Sequence, residues 1–185
     1  MKKSSFILLF FFTSIIYSQT SQINDFNYKY NRSLKTGRLL GAVAGSTMGI
    51  AQIYWSATNM SGVHGPLWKN VITGVPSSII GGYVGYKTTE WATKQILCGN
   101  PKPGKAVLKG ALYGAIDGTI VLTASMLPLL VIGHYMETIH FNFDGDAILF
   151  KLIGSSIMGG LAYGGTFGGT IGIIYGPCLS IYMKF

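Results

Sequence analysis

The chain has 185 residues, enough for one domain, and only 11% of them are charged, against about 25% in ordinary soluble domains. Apolar residues make up 49%, and the 26 glycines are about twice the usual share. No Gly-X-Y period runs through the sequence, which excludes collagen. Low charge combined with long apolar runs indicates an all-α membrane protein rather than a soluble domain, with the lipid bilayer as its first partner.

The formal charge of +8 comes from 14 basic and 6 acidic residues. Nucleic-acid binding would require a Lys/Arg-rich helix, a zinc-ligand spacing or an aromatic platform motif, and the sequence has none of them. We therefore expect the basic residues to flank membrane helices and contact anionic lipid, with no nucleic-acid partner. The turn GNPKPGK at 99–105 lacks the pattern of a phosphate-binding loop, and no cofactor is expected.

Residues 1–18 have the pattern of a secretory signal peptide. A charged start with Lys2 and Lys3 is followed by an apolar run of about 12 residues, which is short for a membrane-spanning helix. We predict cleavage after Ser18 and export of the mature chain, with an uncleaved anchor as the alternative. Residues 19–36 are polar and are expected to form a solvated N-terminal arm.

Residues 37–185 are predicted to form a glycine-rich helical membrane domain. Its glycines recur every four residues, a step that returns to nearly the same side of an α-helix. Each glycine costs a water-exposed helix about 1 kcal/mol, whereas in lipid a row of glycines is a groove that lets a second backbone come close. The predicted packing glycines are Gly37, Gly41, Gly45, Gly49, Gly110, Gly114, Gly118, Gly160, Gly164, Gly168, Gly172 and Gly176.

The predicted membrane helices cover residues 37–57, 68–93, 106–133 and 148–176. The second is the least regular, because Pro76 interrupts it and its apolar part is short, so it spans fully or only in part. Pro177 is expected to end the fourth helix. Because helices one and three run parallel and helix four runs against both, helix four is predicted to be the central strut.

Four spans would place the N-terminal arm, the turn at 94–105 and the C-terminal tail on one side, together with most of the basic residues. The positive-inside rule makes that side cytoplasmic, whereas a cleaved signal peptide exports it. The choice between inner and outer membrane therefore stays open. The same topology places Cys98 and Cys178 on one face, where a disulfide and two free thiols are both open.

His134, Glu137 and His140 follow one another as HxxExxH, and on a helix this spacing would place three metal-ligating side chains on one arc. The motif differs from the HExxH of zinc proteases, and a di-iron bundle would need further glutamates. We therefore interpret the segment as a polar linker and expect no metal.

Asp117 lies inside the third glycine-rich helix. An acidic residue in a membrane helix costs about 2.5–3.5 kcal/mol on insertion scales, so it tends to be paired or functional. The favoured interpretation places Asp117 near the membrane interface or beside a basic neighbour. The alternative places it on a water-filled path.

These features favour a structural or assembly protein that is not an enzyme, whose glycine faces pack within the chain, in a homo-oligomer or onto other subunits of a membrane complex. One alternative is a small channel or transporter with Asp117 in its path. A second is a small outer-membrane β-barrel, suggested by alternating residues over 166–175 and by the terminal Phe185.

The spacing of Gly37, Gly41, Gly45 and Gly49 broadly resembles that of the mitochondrial inner-membrane protein-import translocase family. The longer loop signature of that family, with its Arg and Asp, is absent from this sequence, and the secretory N-terminus differs from it. The sequence alone therefore assigns no family.

Overall fold

The structure is a computed structural model that describes residues 3–58, 65–99, 101–139 and 147–184, with the backbone alone for residues 3–24. The described residues form helices joined by turns, with no strand among them. The helices are α1 Lys3–Ala57, α2 Leu67–Leu97, α3 Pro103–Tyr135, α4 Ile148–Gly159 and α5 Gly165–Tyr182, with a π-helical turn Gly160–Gly164 between the last two. The all-α prediction is confirmed, and the alternation over 166–175 that suggested a β-barrel lies in α5.

The N-terminal third of the chain is one helix of 55 residues. The described part of the predicted signal peptide, residues 3–18, and the polar arm both lie in α1, and cleavage between them stays a prediction. The arm was expected to be solvated, but Ser33 and Leu34 near its end are buried. The reason is that α1 already contacts α2 there: a Cβ added to Gly37 would contact the side chain of Thr93.

The first helical pair is α1 with α2. A Cβ on Gly41 would overlap the carbonyl oxygen of Gly85, and a Cβ on Gly45 would overlap that of Gly81. The two backbones are thus in direct contact at these crossings. Only glycine permits this separation, because any Cβ would have to occupy the position of a neighbouring peptide group.

The second pair is α3 with α5, and its glycines match one to one. Gly110 lies against Gly172, and Gly114 lies against Gly168. Four residues further on, the carbonyl oxygen of Gly164 occupies the place that a Cβ on Gly118 would take. Each step of four forward on α3 meets a step of four backward on α5, because the two helices run antiparallel.

The prediction that helix four is the central strut is wrong. The fourth predicted helix, now α4 with α5, packs chiefly on α3, and α1 packs chiefly on α2, while α2 and α3 join the two pairs. The second predicted helix, which the sequence makes the least regular, is α2 and is the partner of α1. Its small residues Gly74, Ser78, Gly81 and Gly85 all contact α1. A strict four-residue glycine repeat does not identify them, because one position is a serine and the step from Ser78 to Gly81 is three residues.

Pro177 does not end the fourth helix, because α5 continues through it to Tyr182. A proline inside a helix removes one backbone hydrogen bond and costs about 3 kcal/mol or more. The turn beyond it buries Leu179 and Met183 against Ile96 and Leu97 of α2, and this apolar contact offsets the cost.

Many interior side chains are small and polar, and many large apolar side chains are exposed. Leu152 is the one large aliphatic among the completely buried side chains of the described residues. The larger polar members of this set are Asn70, Thr73, Thr93 and Thr138, and the smaller ones are Ser77, Ser125, Ser156 and Ser180. Outside, Phe150 is 81% exposed and Leu108 is 73% exposed. Such exposure of large apolar side chains is unusual for a water-soluble domain.

The buried hydroxyls connect helices that glycine contacts alone would not join. Ser77 of α2 donates to the carbonyl oxygen of Ser125 in α3 at 2.6 Å. The hydroxyl of Ser125 in turn donates to the carbonyl oxygen of Gly45 in α1 at 2.8 Å. One chain of hydrogen bonds therefore links α1, α2 and α3.

Two helical stretches of the described chain are long and apolar enough to cross a membrane, Pro103–Tyr135 and Ile148–Tyr182. They form the second pair. The first pair, α1 with α2, does not meet the same test of length and composition among the described residues.

Substitution of a glycine at a helix crossing should destabilise the bundle. Gly168→Ala places a methyl group where the carbonyl oxygen of Gly114 lies, so we expect the free energy of unfolding to fall by about 1–3 kcal/mol. Thermal unfolding in detergent, followed by circular dichroism, measures the change.

Gly154→Ala in α4 is the matched control, because nothing lies within 4 Å of the added methyl group. This control should be neutral or stabilising by about 0.5–1 kcal/mol, since alanine is the better helix former. Equal effects of the two substitutions would contradict the proposed crossing.

Candidate functional site

Asp117 is the fifteenth of the 33 residues of α3, about 21 Å along a helix axis from its start. Its Oδ2 accepts a hydrogen bond from the hydroxyl of Thr89 in α2 at 2.7 Å. Its Oδ1 is buried and has no hydrogen-bond partner among the described residues. None of the ion pairs among the described residues includes Asp117, so the basic neighbour is not found, whereas its position near the membrane interface stays a prediction. Because α3 extends well beyond Asp117 in both directions, the carboxylate lies near the middle of the helix.

A cavity of about 340 Å³ lies between the two helical pairs, and Asp117 is part of its lining. Tyr175 of α5 also lines it, and its hydroxyl is buried without a hydrogen-bond partner among the described residues. The other walls are mostly apolar and include Leu40 of α1 and Phe167 of α5. No basic side chain lies in the lining.

The cavity follows from the way the glycines are placed. Gly114, Gly118, Gly164 and Gly168 bring α3 and α5 together, and the same residues line the cavity. A residue without a side chain adds nothing to fill the space beside the crossing. Close contact within each pair therefore leaves an unfilled volume between the pairs.

The π-helical turn Gly160–Gly164 borders this cavity, which Tyr163 and Gly164 help to line. A π-helical turn accommodates one extra residue and is found most often at functional sites. Here it lies where α3 approaches closely, because a Cβ on Gly160 would overlap the hydroxyl oxygen of Thr123. The irregularity thus coincides with both the crossing and the cavity.

An ionic cluster ties α1 to α2. Arg38 Nη2 lies 2.7 Å from Glu90 Oε1, and Lys94 Nζ lies 2.7 Å from the same oxygen. The Glu90 side chain is only 12% exposed. Both cations thus pair with the same carboxylate oxygen of Glu90.

The HxxExxH segment does not form a helical metal site. α3 ends at Tyr135, one residue after His134, and Glu137 has a φ of 57°. Glu137 Oε2 lies 3.5 Å from Lys69 Nζ, and His140 is outside the described residues. No group of three or more metal-ligating side chains occurs in the part of the chain that the structure describes.

Both cysteine thiols are free and exposed. Cys98 follows α2 as predicted, whereas Cys178 lies inside α5 rather than beyond its end. The hydroxyl of Ser180 donates to the carbonyl oxygen of Pro101 at 2.5 Å, so the two segments meet at one end of the bundle. A disulfide between the cysteines stays a prediction.

Sequence reasoning found Asp117 but missed Thr89 and Tyr175. Thr89 lies 28 residues before its partner, and only the pairing of α2 with α3 brings them together. Tyr175 is one of 11 tyrosines, and no local pattern sets it apart from the others.

No protein-family model, curated protein or solved structure matches the chain. The glycine spacing that resembles an import-translocase family therefore stays a resemblance of pattern. The functional conclusion rests on the geometry of the bundle and its cavity.

Glu90→Gln removes the carboxylate that pairs with both Arg38 and Lys94. We expect the variant to be less stable than the parent at pH 7, because two cations lose their counter-charge. Thermal unfolding in detergent, followed by circular dichroism, measures the difference. Equal stability of the two proteins would show that the ionic cluster does not hold α1 to α2.

Proposed function

We propose that the chain is an integral membrane protein of structural or assembly type, without catalytic activity, whose four helical segments cross the bilayer. The observation that carries the proposal is the distribution of side chains, with glycine and hydroxyl groups at the helix crossings and many large apolar groups exposed. Helices in lipid associate through close backbone packing and interhelical hydrogen bonds rather than through a hydrophobic core. The surface of Phe150 and Leu108 would be costly in water and is suited to acyl chains.

The proposal includes α1 and α2 as spans, although their composition alone is less apolar. Their outward residues support it, because Leu39 and Val43 of α1 and Ile79 and Tyr83 of α2 are exposed and apolar. The pair is also joined by the same kind of glycine contact as α3 with α5. Export by the predicted signal peptide is part of this proposal, to either the inner or the outer membrane.

The crossings described above use the predicted glycine faces within one chain. A homo-oligomer or a complex with other subunits would therefore use the outer apolar surface rather than the glycine grooves. This makes the glycines elements of internal architecture, and it makes the bundle the unit that assembles.

Topology tests the proposal with two single-cysteine variants. Thr58 and Cys98 lie beyond opposite ends of α2, so a spanning α2 places them on opposite sides of the membrane. We expect a membrane-impermeant maleimide applied to intact cells or sealed vesicles of one orientation to label only one of the two.

The first variant carries Thr58→Cys with Cys98→Ser and Cys178→Ser, and the second carries Cys178→Ser alone. Permeabilised membranes serve as the control, in which both should react because both positions are exposed. Equal labelling in the intact preparation would show that α2 does not span.

A small channel or transporter is the second candidate, and the position of Asp117 favours it. The carboxylate lies near the middle of α3, lines a cavity and contacts Thr89 rather than a cation. Ionisable residues inside membrane bundles commonly mark proton or substrate paths.

Removal of this charge should stop such a flux. Asp117→Asn in liposomes should reduce the dissipation of an imposed pH gradient to the rate of empty liposomes, with helix content unchanged. Asp25→Asn is the matched control, since Asp25 is exposed and pairs with Lys29 away from the cavity. Undiminished flux in Asp117→Asn would remove this candidate.

A further inference from the structure

We propose that the cavity between the two helical pairs binds a lipophilic organic cation, with the carboxylate of Asp117 as its counter-charge. This inference rests on the second proposed function for its location in a membrane bundle, and it deepens that function by naming the class of ligand. It does not require that the ligand be carried across the membrane.

The charge of the cavity lining favours a cation as the ligand. Asp117 is the only ionisable acid in the lining, and its Oδ1 is buried without a hydrogen-bond partner among the described residues. Thr89 satisfies only Oδ2. No lysine, arginine or histidine lines the cavity, so the protein supplies no cation there. A carboxyl group in apolar surroundings either takes up a proton or is stabilised by a counter-charge, and a bound cation would provide that counter-charge.

The composition of the cavity walls favours an organic cation over a metal ion. Apart from Asp117, the threonines and the tyrosine hydroxyls, the lining is aliphatic, aromatic or glycine. Tyr163, Phe167 and Tyr175 contribute aromatic rings, which attract organic cations through their π-electron faces. A volume of about 340 Å³ suits a small organic molecule, since ligand pockets start at about 300 Å³. A hydrated metal ion would find few polar groups here.

The route into the cavity between α1 and α5 also favours a lipophilic organic cation. α1 packs chiefly on α2 and α5 packs chiefly on α3, so the cavity wall between α1 and α5 consists of side chains rather than backbone contacts. Leu40, Phe167 and Ile171 belong to both the lining and the exposed surface. A molecule dissolved in the bilayer would meet this opening directly, and an amphipathic cation partitions into the bilayer.

A neutral occupant is the competing possibility. An acyl chain or a second copy of the helix pair would fill the apolar walls but leave the carboxylate without a counter-charge. The test therefore separates charge from shape by using two ions of the same geometry, tetraphenylphosphonium and tetraphenylborate.

Equilibrium dialysis of the detergent-solubilised protein, with empty micelles subtracted, measures binding of both ions. We expect tetraphenylphosphonium to bind and tetraphenylborate not to bind. Asp117→Asn should weaken tetraphenylphosphonium binding by about tenfold or more, the effect expected for loss of one buried charged contact. Circular dichroism checks that the variant is folded.

A second pair of variants tests the location without changing charge. Ala44 lines the cavity and is exposed, so Ala44→Phe should fill it and abolish binding. Val43 is its exposed neighbour outside the lining, and Val43→Phe should bind normally.

Equal binding of the two ions, or unchanged affinity in Asp117→Asn, would overturn the proposal. Binding of the cation by a protein that shows no flux would uphold the site while removing the transport function. Flux without cation binding would overturn the proposed binding site and uphold the transport function.

Discussion

Direct contact between glycine backbones is the constraint on which the rest of this structure depends. When Gly41 meets Gly85 and Gly114 meets Gly168, the helices are too close for a layer of large side chains between them. At these crossings there is room only for small side chains, and interior hydroxyl groups bond to carbonyl oxygens of neighbouring helices, as Ser125 does to Gly45. Some large apolar residues are buried, such as Ile96 and Leu179 in one cluster, but many more lie on the outside. Small side chains at the crossings and a largely apolar exterior are thus two consequences of one packing choice.

The same choice accounts for the cavity. Glycine contacts hold α1 to α2 and α3 to α5, while the two pairs meet mainly where α2 lies beside α3. Several glycines line the space between the pairs and add no side chain to fill it, and Asp117 is the one carboxylic acid in its lining. Acidic residues inside membrane bundles are costly and tend to be paired or functional, which is the basis of the proposed ligand site.

Much of this architecture could be predicted from local spacing, because a helix returns to the same side every four residues. The glycine rows of α1, α3 and α5 and the acid within α3 were found in this way. The choice of partner helix could not be predicted, since equal rows on three helices are compatible with several pairings, and the row of α2 includes Ser78 and a step of three residues. Pro177 suggested an end that the contacts of Leu179 and Met183 override. Thr89 was missed because a hydrogen bond between helices has no signature in the sequence.

The pairing of glycine backbones can be measured directly in lipid. Solid-state NMR of protein labelled with ¹³C at the glycine α-carbons, reconstituted in bilayers, detects which α-carbons are close neighbours. We expect cross-peaks that join glycines of α1 to those of α2, such as Gly41 to Gly85. We also expect cross-peaks that join glycines of α3 to those of α5, such as Gly118 to Gly168. Cross-peaks between glycines of α1 and α5, with none within the two pairs, would contradict it.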